Sequence, residues 1–201
     1  MSLAARMVLV LTSVGLLSGT FLMTVGLLTK DRIALNKKLE IERAIMTVVP
    51  GSSSSRLLYE EKDLTVYGGM DATGSTVGYA VYASGVGFQD KISLMVGIDK
   101  DLTKIHNLAV LEQKETPGLG AKITDKASFL IYWEGRDFTQ PLRLRKPPVD
   151  ASARLASSEV NTITGATISS QAVVDIVNSA REKVKKLVEA GKLVTGGENA
   201  R

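Results

Sequence analysis

The chain has 201 residues, with 25 lysines and arginines against 21 aspartates and glutamates and a net charge of +4, enough for one soluble domain plus a membrane segment. It holds no cysteine and one histidine, His106, which excludes disulfides, iron–sulfur clusters and thiolate metal sites and leaves too few imidazoles for a typical zinc or haem centre. Aromatic residues make up only 5%, so the mild positive charge lacks the interleaved rings of a nucleic-acid groove, no nucleic-acid partner is expected, and any redox work falls to an organic cofactor.

Residues 7–28 carry no charge, and at 1.5 Å per residue such a helix reaches across roughly 30 Å of hydrocarbon. No small-x-small cleavage site follows before Lys30, so the segment reads as an uncleaved single-pass anchor. Only Arg6 precedes it, whereas Lys30, Arg32, Lys37, Lys38 and Arg43 follow. Counted simply, that asymmetry places the following domain in the cytoplasm. Asp31 can cap a helix through Ile33, Leu35, Leu39, Ile45 and Val48 that continues or restarts the anchor until Pro50-Gly51 stops it. Gly51 and the four serines after it read as a flexible loop.

Strand patterns begin near Leu64 and are clearest at 76–83 and 91–98, which are rich in β-branched or aromatic residues, and at 105–111, where the chain returns after the Asp99-Lys100-Asp101 turn. They predict an antiparallel meander. Two helices are expected after it, over 125–133 and from Ser169 or Ser170 through Ala190. In the second, Val173, Ile176, Val177, Ala180, Val184, Leu187 and Val188 keep a 3.6-residue period and Gly191 supplies the stop. Strands followed by helices imply an α+β domain. The chain divides into an anchor at 1–30, a juxtamembrane helix and Ser-rich linker at 31–55, one folded domain at 56–194 and a flexible tail at 195–201.

Two motifs carry chemistry. Glu115-Thr116-Pro117-Gly118-Leu119-Gly120 follows the last strand of the meander. Pro117 fixes one dihedral and Gly118 permits positive φ, so the turn offers backbone amides, a hydroxyl and the apolar Leu119 to a flat, half-apolar ligand. The second motif is Asn161-Thr162-Ile163-Thr164-Gly165-Ala166-Thr167. Gly165 and Ala166 lack bulk, and the Thr167 hydroxyl stands at a helix mouth, where free N–H groups and the macrodipole favour a phosphate. Taken alone, Thr167 also reads as a simple cap, a part open to Ser169 or Ser170 as well.

The two motifs together resemble the FMN-binding domain shared by the G component of the Rnf electron-transport complex and the C component of the sodium-pumping NADH:quinone reductase. The resemblance covers the N-terminal anchor, the glycine-rich strands between Gly85 and Gly97, the 115–120 turn and the attachment motif before the closing helix. It implies an FMN-binding domain at 56–194 with an antiparallel sheet and flanking helices, and covalent FMN held by a phosphoester to Thr167. Thr164, Gly165, Ala166, Gly118 and Leu119 are then cofactor-binding residues, and Glu115 and Thr116 hydrogen-bond the polar edge of the flavin. Lys146, with Arg143 and Arg145, is the candidate to neutralise the phosphate, the plain alternative being a solvated basic edge strand. Phe129 and Trp133 can flank the ring but at helical spacing read as core.

The resemblance further implies an electron-transfer subunit of a membrane translocase. Its partners are the other membrane, iron–sulfur and flavin subunits of an Rnf-type ferredoxin:NAD oxidoreductase, and a flavin transferase matures it. The domain then lies outside the inner (cytoplasmic) membrane, against the simple charge count. The quinone-reductase component, an orphan extracytoplasmic flavoprotein and a cofactor-free membrane-tethered assembly module remain the alternatives. One position departs from the family pattern: the acidic residue that opens the attachment motif is Asn161 here.

Overall fold

The computed structural model describes residues 2–150 and 154–193; the expected tail at 195–201 lies outside them. The chain divides into two units, Met1–Ile41 and Glu42–Arg201. Helix α1 runs without a break over Leu3–Val48, so the anchor pattern continues past Lys30 and does not restart. It is the one helix, among those described, that is long and apolar enough to cross a membrane.

In the second unit, five strands form an antiparallel sheet in chain order: β1 (Ser54–Glu61), β2 (Leu64–Met70), β3 (Thr76–Val86), β4 (Lys91–Asp99) and β5 (Ile105–Glu112). The expected meander is present, and β1 extends it beyond the strands that the sequence pattern marks. Ser54 and Ser55, expected as loop, open that strand. It is an edge strand, exposed along nearly its whole length and bulged between Leu57 and Tyr59. Its charges and bulge protect a sheet edge and hide the alternation by which strands are recognised.

Cross-strand register places Val66, Val81, Val96 and Leu108 in one row, all buried. Helix α2 (Thr167–Glu189) packs over that face with Val173, Val177, Ala180 and Val184 buried. Phe129 and Trp133 complete the core, fully buried and edge to face at 5.8 Å. They are core residues and do not flank a ligand.

The α-helix expected over 125–133 is instead a turn followed by a short 3-10 helix at Leu130–Trp133. Asp125 accepts bonds from the backbone N–H and the hydroxyl of Ser128, and its carbonyl takes the N–H of both Phe129 and Leu130. Gly135, at φ 73°, ends the segment. Drawing both aromatic rings into the core outweighs regular helix geometry over so short a stretch.

The opposite face of the sheet is paved with small residues. Gly69 faces Gly78, and Ala80 faces Gly97, in register. The last turn of α1 sits there: a Cβ on Gly97 would stand 1.8 Å from the Val48 carbonyl oxygen, and one on Gly78 3.0 Å from Val49 Cγ1. Ala44, Ile45, Val48 and Val49 are buried by this seat, together with Met95. A separate parallel pair, β6 (Arg143–Arg145) and β7 (Glu159–Asn161), leads into the second motif.

Candidate functional site

Three segments distant in sequence meet around one cleft of about 330 Å³: the tip of the β3–β4 hairpin, the turn after β5 and the first turn of α2. That size and mixed lining suit a small organic ligand.

Thr167 is the first residue of α2 and Ala166 is its N-cap, with no side-chain capping bond. The plain capping reading of Thr167 is therefore corrected. Its side chain is exposed, and among the described residues its hydroxyl has no hydrogen-bond partner. The local closure falls to Ser170, whose Oγ donates to the Ala166 carbonyl at 2.9 Å and accepts the Ile163 N–H at 3.3 Å. The first N–H groups of α2 are left without helical partners or a side-chain cap, which suits a phosphate. Gly165 takes φ 80°, a left-handed conformation natural to glycine, and turns the chain from the buried Ile163 to the exposed helix mouth.

The turn after β5 folds as its sequence dictates. Leu119 and Ala121 donate their N–H groups to the Thr116 carbonyl at 3.2 and 3.1 Å, and Gly118 adopts φ 77°. Leu119 lines the cleft and approaches Gly165, since a Cβ there would lie 3.2 Å from Leu119 Cδ2. Gly118 faces away, into a shallower groove beside Lys122, Asp125 and Ser128.

Glu115 lines the cleft yet is only 4% exposed. Its Oε1 accepts the backbone N–H of Phe88 at 2.8 Å and of Gln89 at 3.2 Å, and its Oε2 accepts the Ser169 hydroxyl at 2.6 Å. Both oxygens are engaged within the protein. Thr116 Oγ1 accepts a bond from Gln89 Nε2 at 2.8 Å. Beside the hairpin tip, the Lys91 N–H and the Lys114 ammonium hold the Asp90 carboxyl below its ordinary value, Lys114 pairing with it at 3.0 Å.

The structure thus brings together Glu115, Thr116, Leu119, Gly165, Ala166 and Thr167. It does not bring Gly118, Thr164 or Lys146 into the cleft wall. Thr164 is exposed on the approach to Gly165, and Lys146 lies just past the end of β6, exposed. Of its basic neighbours, Arg145 pairs with Glu159 at 3.9 Å. Asn161 is buried and grips Val149 on both peptide edges, accepting its N–H at 3.0 Å and donating to its carbonyl at 2.7 Å. Phe88, Gly120, Ile168 and Ser169 also line the cleft, and the two motifs alone do not assign them there. A phenylalanine at a hairpin tip beside glycine, and an isoleucine in the polar first turn of a helix, are the sequence signals that point to the first and third.

Comparison with known proteins agrees with this geometry. Residues 87–182 match the FMN-binding domain family. The chain is 40% identical over 118 residues to the G component of the ion-translocating oxidoreductase complex of Methanosarcina acetivorans, covering 59% of this chain and 57% of the relative. It is 30% identical over 128 residues to the G component of the Na(+)-translocating ferredoxin:NAD(+) oxidoreductase complex of Acetobacterium woodii, covering 63% of this chain and 58% of the relative. The chain therefore spans less than three fifths of the length of either. The crystal structure of Shewanella oneidensis NqrC superposes with a TM-score of 0.51 over 71% of this chain and 74% of that one, at 23% identity, a likeness of fold. A helix mouth without a side-chain cap, an exposed threonine hydroxyl, a glycine that clears the approach and an apolar rim all fit a flavin mononucleotide. The match to the FMN-binding domain family spans residues 87–182, just under half of the chain, and all three segments that form the cleft fall within it.

Proposed function

We propose that the chain is the membrane-anchored flavoprotein subunit of an Rnf-type ion-translocating ferredoxin:NAD oxidoreductase, with FMN joined through its phosphate to Thr167. The observation that carries this reading is the Thr167 hydroxyl, exposed at the start of α2 on the rim of the cleft and without a hydrogen-bond partner among the described residues. Two relatives named as G components of such complexes support the assignment. The bound flavin supplies the capacity to take electrons singly or in pairs and so links one-electron and two-electron partners.

The chain's own residues bind and orient. The first N–H groups of α2 hold the phosphate, whose remaining negative charge the helix terminus stabilises. Gly165 and Ala166 let the cofactor approach the backbone, and Leu119 offers an apolar surface to the ring. The covalent tether keeps the cofactor on a domain that, on this reading, lies on the extracytoplasmic side of the membrane. A flavin transferase installs it, and the other subunits of the complex exchange electrons with it.

The test is denaturing electrophoresis of the full chain under ultraviolet light, after expression with a flavin transferase. The native chain should fluoresce and Thr167→Val should not, while the variant folds normally because Val preserves shape at an exposed helix start. A dark native band would favour a cofactor-free assembly module. A fluorescent Thr167→Val band would move the attachment elsewhere.

A further inference from the structure

The family motif accounts for the helix mouth and the turn, but not for why the hairpin tip at 87–90 takes part in the cleft. Nor does it account for a carboxyl group buried there with both oxygens facing protein. Burying such a group is costly unless its hydrogen bonds are supplied, and here three are. They run to two segments, since Glu115 joins Phe88 and Gln89 on one side and Ser169 on the other, across 27, 26 and 54 residues of sequence.

The chain makes room for this junction. A Cβ on Gly87 would stand 2.4 Å from Glu115 Oε1, and one on Gly120 would stand 2.5 Å from Ser169 Oγ and 2.8 Å from Glu115 Oε2. Two glycines thus flank the carboxyl group, and no larger residue fits beside it. The other ties of the tip, Gln89 to Thr116 and Lys114 to Asp90, are exposed and contribute little by themselves.

What the junction positions is apolar. Phe88 and Ile168 both line the cleft, 58% and 61% exposed, with Leu119 between them in sequence at 48%. A single exposed apolar side chain is ordinary, but three around one opening mark a surface that a ligand covers. Resting on the flavoprotein reading, we infer that Glu115 is a positioning residue, not a flavin ligand: it fixes the hairpin tip so that Phe88 forms one wall, facing the ring of the bound flavin, while Ile168 and Leu119 form the other side.

The experiment uses the full chain in detergent with Glu115→Ala, Glu115→Gln and Phe88→Ala. Without flavin, hydrogen exchange at the Phe88 and Gln89 amides should quicken roughly ten- to a hundredfold in Glu115→Ala, the loss of a buried bond to a charged acceptor. Glu115→Gln should restore most of the protection, because an amide oxygen still accepts both N–H groups and its NH₂ can donate to Ser169. With flavin attached, Phe88→Ala and Glu115→Ala should both lower the fluorescence anisotropy of the ring and raise its quenching by iodide, at unchanged flavin stoichiometry. Glu115→Gln should leave both near native, along with the flavin midpoint potential. The inference is overturned if exchange at the tip is unchanged in Glu115→Ala, or if Phe88→Ala leaves the ring as immobile and shielded as before. It is also overturned if Glu115→Gln shifts the potential as far as Glu115→Ala, the mark of a carboxylate touching the ring. A native chain that carries no flavin defeats the flavoprotein reading alone, and the exchange result still decides the role of Glu115.

Discussion

Replacing Gly97 by alanine tests how the last turn of α1 is fixed to the sheet. The new Cβ would lie 1.8 Å from the Val48 carbonyl oxygen, 2.4 Å from its carbon and 2.8 Å from Val48 Cβ. Those first two atoms are backbone and cannot rotate away. The helix end must lift by about 1.5 Å to reach an ordinary contact, and a gap of that order forfeits about half of the packing energy or more. Ile45, Val48 and Val49 are all at most 1% exposed in the native seat. Full burial of such side chains is worth roughly 2 kcal/mol each, so losing half for the three destabilises the domain by about 3 kcal/mol. Urea unfolding of the full chain in detergent, followed by the fluorescence of the single tryptophan, Trp133, reads this directly. A Gly97→Ala chain within about 0.5 kcal/mol of native, the range of an unremarkable surface change, would show that the helix end is not held on this glycine pavement.

Other expectations follow from single contacts. Asn161→Asp brings back the family's acidic residue but removes the Nδ2 donor to the Val149 carbonyl and sets a carboxylate against it; urea unfolding should show a loss of about 1–3 kcal/mol. Gly165→Val forces a β-branched residue to φ 80° with Leu119 Cδ2 close by, and should cost about 1–3 kcal/mol in the same assay. Hydrogen bonds, chiefly from Thr73, Ser128 and Thr139, hold Asp71, Asp125 and Asp137 below the ordinary carboxylate value of 3.8. Because the folded pKa is the lower one, their contribution is present above the unfolded value and is lost as pH falls through the folded one. The unfolding midpoint should hold from neutral pH to roughly pH 4 and decline below it, and Asp137→Asn should flatten that decline.

Local pattern carries much of the architecture. β3, β4 and β5 are legible because each concentrates β-branched and other apolar residues, with two tyrosines in β3, between turn signals. Helix α2 is legible from seven apolar positions at helical period, and it begins at Thr167, two or three residues before the expected start at Ser169 or Ser170. Where packing across the fold decides, pattern fails. β1 hides behind serines, charges and a bulge because a sheet edge must discourage pairing. The 125–133 segment has helical spacing, yet Phe129 and Trp133 are claimed by the core before a regular helix can form.

The site divides in the same way. Thr167 and the 115–120 turn are visible because their chemistry is local: a hydroxyl at a helix mouth, a proline and glycines in a tight turn. The partners of Glu115 are not visible, since no local spacing relates it to Phe88 or to Ser169. Asn161 looks like a departure from a motif, whereas its amide matches both the backbone N–H and the carbonyl of Val149, which a carboxylate cannot do.

In the proposed holoprotein, one oxygen atom, the hydroxyl of Thr167, joins the flavin to the chain. Peptide mapping by mass spectrometry of the chain purified from its own host should find the peptide containing Thr167 heavier by FMN less one water, with the added mass on that side chain. The same peptide recovered at its unmodified mass would contradict the account.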